Sequence, residues 1–139
     1  FNQDLSKWDV SKVTNMHSMF DNARSFNQDL SKWGVSAVTN MAAMFYQTSV
    51  FNQDLSNWDV SRVTDMRKMF LLAPAFNRKL CADAWVNSKA DQTEMFTDSP
   101  GSISSTVCTT TAKPVHGEGF GLTSGLGLST SGCMCTPKN

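Results

Sequence analysis

The chain predicts an α/β repeat solenoid, and three observations carry that prediction. Its aromatic residues recur at a fixed interval, each interval contains two different apolar periodicities, and the length suits one body. The segment Phe1 to Phe20 returns at Phe26 and Phe51, and a decayed copy opens at Phe76, always 25 residues on. A fixed period in this range marks a chain stacked on itself rather than wrapped round one centre. At 139 residues and 40% hydrophobic the chain is ordinary globular material for one body.

Each unit predicts one short strand and one short helix per 25-residue coil. Trp8 and Val10 alternate with polar Lys7 and Asp9, the period of a strand with one face buried. Met16, Met19, Phe20 and Ala23 fall at i, i+3, i+4 and i+7, one face of a helix. Thr14, Thr39 and Thr64 stand where a hydroxyl caps the first turn, and Asn15, Asn40 and Asp65 follow at the positive end of its dipole. Pro74 is the expected stop of the third helix. A single unit buries too little apolar surface to offset ordering its own backbone, so neighbours must stack. Stacking sets like residues in rows, Asn2 with Asn27, Asn52 and Asn77, and Trp8 with Trp33 and Trp58.

The run FNQDLSxWDVSxVTxMxxMF, with Gly34 its one departure at the aspartate, closely resembles the BspA-like leucine-rich repeat of bacterial surface lipoproteins and algal proteins. The resemblance covers Phe1 to about Phe70 almost residue for residue and extends weakly to Phe96. It implies a leucine-rich-repeat-like coil outside the cytoplasm, used for adhesion or protein contact, with no enzymatic activity and no catalytic residues. The spacing Leu5-x-x-Trp8-x-Val10 is compatible with such a core.

Three regions follow along the chain: residues 1–75 as regular repeats, 76–96 as a capping repeat, and 97–139 as an extension packed on the end. In the fourth unit Trp85 falls two residues late and Met95 and Phe96 one late, while Lys89 and Gln92 replace apolar residues, the drift that a terminal repeat requires. Residues 97–139 hold fifteen Ser or Thr, seven Gly and four charged residues. Phe120, Leu122, Leu126 and Leu128 all fall on even numbers, the period of an extended segment lying on something apolar.

Cys81, Cys108, Cys133 and Cys135 begin where the repeat decays, and an even count in a small domain predicts two disulfides that staple the irregular cap in an oxidising compartment. Three pairings are formally open. A Cys133–Cys135 bond closes a very tight ring, which favours Cys81 and Cys108 each taking one of that pair. Zinc is the weaker reading, since Cys-x-Cys departs from finger spacing.

The remaining chemistry has plain structural readings. His17 is replaced by Ala42 and Arg67 in the next units, which suits a solvated surface, and His116 lies in a glycine-rich stretch without an evident triad partner. Gly117 to Gly127 matches neither a phosphate loop nor a dinucleotide fingerprint. Asp4, Asp29 and Asp54 stack in the predicted register, where bonds to their own turns are a commoner fate than calcium. The methionine rows are core. No cofactor and no metal are expected.

Function follows from what is left. Twelve basic and twelve acidic residues cancel, so no field draws in nucleic acid. No apolar run reaches the roughly 18 residues of a bilayer span. The chain opens at Phe1, the first residue of a repeat, without an initiator methionine, so residues upstream are expected. The expected role is a non-enzymatic protein-binding or structural module, secreted, surface-displayed or in an organelle lumen. The alternative is an accessory subunit of a larger assembly, attached peripherally to a membrane complex. The candidate contact surfaces are an apolar edge of Tyr46, Val50, Leu71 and Leu72, and an exposed strand face of Lys7, Asp9, Lys32, Asn57 and Asp59.

Overall fold

The structure, a computed structural model, describes residues 1–108. It overturns the α/β solenoid with a strand and a helix in every coil. The described residues are mostly turns and irregular chain, with one helix, α1 (Asp83–Val86), and two strands, β1 (Lys79–Leu80) and β2 (Ser102–Ile103). β1 and β2 pair in parallel as one small sheet, with Leu80 opposite Ile103. Residues 1–75 contain neither helix nor strand, only bridges joining Asn15 to Asn40 and Asn40 to Asp65.

The apolar spacing read as helical is met instead by consecutive turns. Met19 N–H donates to Met16 O, Asp21 N–H to Ser18 O and Ala23 N–H to Phe20 O, each three residues back. Two residues per unit hold φ between 54° and 60°: Ser18, Ala43, Lys68 and Glu94 at one position, and Asn22, Gln47, Leu72 and Asp98 at the other. Both positions are the third residue of a turn, where type II turns demand left-handed φ. A right-handed helix admits no such residue. Pro74 therefore ends no helix, and Thr14, Thr39 and Thr64 cap none.

Half of each unit bonds to the next through its backbone. Met16, Ser18, Phe20 and Asn22 donate N–H to the carbonyls of Asn40, Ala42, Met44 and Tyr46 at 2.8–2.9 Å, and the pattern recurs from Met41 to Gln47 and from Met66 to Leu72. Thr39 donates both its N–H and its hydroxyl to Thr14 O. The other half, read as a strand, is bridged by side chains instead. Asn27 N–H donates to Asn2 Oδ1 at 2.9 Å, Asn52 to Asn27 and Asn77 to Asn52 likewise. Trp33 Nε1 donates to Leu5 O at 3.1 Å and Trp58 Nε1 to Leu30 O at 2.9 Å. The asparagine row thus does the bridging work its repetition suggests.

Between the two halves runs the core. Phe20, Phe45, Phe70 and Phe96 stack at centroid spacings of 5.4–5.5 Å. Phe26, Phe51 and Phe76 form a second column against the first, with Phe70 and Phe76 only 3.9 Å apart. Phe1 and Trp8 stay more than half exposed, with no unit on their outer side among the described residues.

The fourth unit keeps the pattern by a detour. Helix α1 takes up the two extra residues, so Trp85 still buries fully and donates its indole N–H to Leu55 O at 3.0 Å. Gly101 then lies on the aromatic columns. A Cβ there would meet Phe76 Cδ1 at 2.5 Å and Phe96 Cδ1 at 3.1 Å, so only glycine lets the backbone come down onto the rings.

Candidate functional site

The chain leaving the second turn in each unit reads Asn22-Ala23-Arg24, Gln47-Thr48-Ser49 and Leu72-Ala73-Pro74. The middle residue is small and turns inward, Thr48 and Ala73 being fully buried. Thr48 satisfies its hydroxyl by donating to Phe45 O at 2.7 Å. The flanking residues stand up on either side, and a groove of about 380 Å³ opens between them, lined by Arg24, Gln47, Ser49, Leu72, Pro74 and Asp98.

This groove lies at the edge where Tyr46, Val50, Leu71 and Leu72 were expected. Leu72 lines it at 37% exposure, and Val50 beside it is 45% exposed. Tyr46 and Leu71 are half-buried and do not line it, and the Tyr46 hydroxyl accepts from Gln47 Nε2 at 3.3 Å. The sequence reading missed Arg24, Gln47, Ser49, Pro74 and Asp98. Their common positions in the repeat were visible, but the one-residue shift in the fourth unit hid Asp98 from that row.

The second expected surface is exposed but is no strand face. Lys7, Asp9, Lys32, Asn57 and Asp59 sit on or beside turns. Asp9 Oδ1 accepts the N–H of Ser11 at 3.0 Å and Asp59 Oδ1 that of Ser61 at 3.1 Å. The hydroxyls and N–H groups of these serines hold both carboxyls below the usual carboxylate range.

Asp4, Asp29 and Asp54 are spent in the same way, accepting from Ser6, Ser31 and Ser56 N–H at 2.8–2.9 Å. Asp65 is held low chiefly by the Arg67 side chain, whose Nη2 lies 2.6 Å from Oδ2. Among the described residues no three His, Cys, Asp or Glu side chains converge on one point. A shallow notch lies over Ala42 and Ala43 between His17 and Arg67 with Lys68, but Arg67 pairs with Asp65 and Asp91, and Lys68 with Glu94. Also among the described residues, no helix is long and apolar enough to cross a membrane.

The cysteine reading is half visible. Cys81 and Cys108 are both buried, and Cys108 N–H donates to Cys81 O at 2.7 Å. Among the described residues no disulfide is formed, so the expected stapling is without support there. Cys133 and Cys135, like His116, the Gly117–Gly127 stretch and the alternating Phe120–Leu128 segment, lie outside the described residues.

Residues 1–106 match the family described as Mycoplasma protein of unknown function, DUF285. No curated protein matches. No solved structure matches either.

Proposed function

The chain belongs to the DUF285 family, and from that premise we propose that it is a non-enzymatic protein-binding module of the BspA-like kind, working outside the cytoplasm through the edge that carries Val50 and Leu72. The observation that carries this reading is the apolar exposure of those two residues beside an open groove. The corresponding edge of the first unit is polar, with Asp21, Asn22, Arg24 and Ser25. A patch that breaks a solvated edge marks a contact surface.

The chemistry elsewhere supports binding rather than catalysis. Asp4, Asp9, Asp29, Asp59 and Asp65 are each committed to a nearby N–H or guanidinium, and the groove presents no nucleophile beside a base.

Photo-crosslinking in the native setting tests the reading. A benzophenone side chain at Val50 or Leu72 is expected to capture one recurrent protein partner, and the same group at exposed Lys12 none. Val50→Asp is expected to abolish the capture. Equal capture from Lys12 would refute the edge. Salt then separates two forms of the role. An accessory subunit of a larger assembly copurifies with its partners through high salt with this edge buried, whereas an adhesion-type module is stable alone.

A further inference from the structure

We propose that the groove beside Leu72 takes an extended peptide segment bearing an acidic and a basic side chain about four residues apart, with an apolar side chain midway between them on the same face. The inference rests on that edge being the partner surface, and it names the chemistry of the partner. Arg24 stands at one end of the groove and Asp98 at the other, three units apart. Among the described residues neither joins an ion pair, whereas Arg67 and Lys68 on the neighbouring turn are both paired with carboxylates. The two groove charges are therefore available to a ligand.

Spacing sets the length of that ligand. Successive units stack their phenylalanines at 5.4–5.5 Å, so three steps amount to roughly 15 Å between the ends, with backbones close to the usual strand separation. An extended chain rises about 3.3 Å per residue and covers that distance in four to five residues. Leu72 and Pro74 wall the middle together with Gln47 and Ser49 and call for an apolar side chain there, which alternation places at the third of five residues. An acidic group meets Arg24 and a basic group meets Asp98.

The test titrates the ¹⁵N-labelled 139-residue chain with the blocked pentapeptide DTVTK at low salt, whose Asp, Val and Lys share one face when extended. Saturable amide shifts are expected at Gln47, Ser49, Leu72 and Asp98. Arg24→Glu is expected to weaken the affinity about two- to fivefold, with the peptide KTVTK restoring it. Asp98→Lys is expected to do the same, with DTVTD restoring it. Unchanged shifts outside the groove verify that both variants fold.

Shifts centred elsewhere, or an Arg24→Glu chain that treats DTVTK and KTVTK alike, would overturn the proposal. Partner crosslinks that persist at Val50 and Leu72 without any peptide response sink the peptide chemistry and leave the edge standing. Crosslinks from that edge to a second copy, or to residues 109–139 of the same chain, sink both.

Discussion

The indole N–H of Trp58 donates to the carbonyl oxygen of Leu30, one unit earlier, at 2.9 Å. The bond is fully buried, so its loss leaves an acceptor without water. Trp58→Phe keeps most of the ring volume and removes the donor, and is expected to cost about 1–3 kcal/mol in urea unfolding. Trp8→Phe is the control, because Trp8 is 55% exposed, and it is expected to stay within about 0.5 kcal/mol. Equal effects at the two positions would show that the bond contributes nothing.

Ala43 holds φ 54° and donates its N–H to Arg67 O at 2.8 Å. Had this segment been the helix its spacing suggests, Ala43→Gly would destabilise by about 1 kcal/mol. In the observed turn glycine relieves a left-handed conformation worth roughly 1–2 kcal/mol and loses part of that gain to the freedom of the unfolded chain. The expected outcome is a neutral to stabilising change of about 0–1 kcal/mol, read as the urea midpoint at constant slope. A loss near 1 kcal/mol would restore the helix.

What could be read from the sequence was the register and most of the core. Met16, Met41 and Met66 are buried in a row, as are Phe20, Phe45 and Phe70. Those positions follow from spacing alone, since a fixed period puts like residues on like neighbours. The secondary structure was not legible, because i, i+3, i+4 is satisfied equally by one helical face and by turns whose first residues point inward. What separates the two is the sign of φ at Ser18 and Asn22, and neither is the glycine that would have announced it. At the site, Val50 and Leu72 stood out as apolar departures, while Arg24 and Asp98 acquire meaning only once stacking sets them at opposite ends of one groove.

Gly34 occupies the place of Asp9 and Asp59, and nothing lies within 4 Å of where its Cβ would be. The flanking units use that aspartate to accept a serine N–H two residues on. Gly34→Asp is therefore expected to add the same bond to Ser36 and to reduce the freedom of the unfolded chain, stabilising by roughly 0.5–1 kcal/mol. Thermal melts of the variant should move upward by a few degrees. A fall in melting temperature would mean that the second unit follows a different path there.

Acid should unfold this protein through the same turn carboxylates. Asp29, Asp59 and Asp65 all titrate below their ordinary value when folded, through the Ser31 N–H, the Ser61 hydroxyl and the Arg67 side chain respectively. A depressed carboxylate contributes its full stabilisation above the unfolded value near 3.9 and loses it as pH falls through the folded one. Stability from these groups is thus expected to be level between about pH 5 and 7 and to decline below about pH 4. Asn15 and Asn40 occupy the place of Asp65 in the first two units and accept the same N–H without a charge. Asp65→Asn should consequently keep the turn and lose stability relative to the parent at pH 7, with the difference narrowing as pH falls below about 4. Parallel pH profiles for the two proteins would remove Asp65 from the acid transition and leave the serine-bound aspartates to account for it.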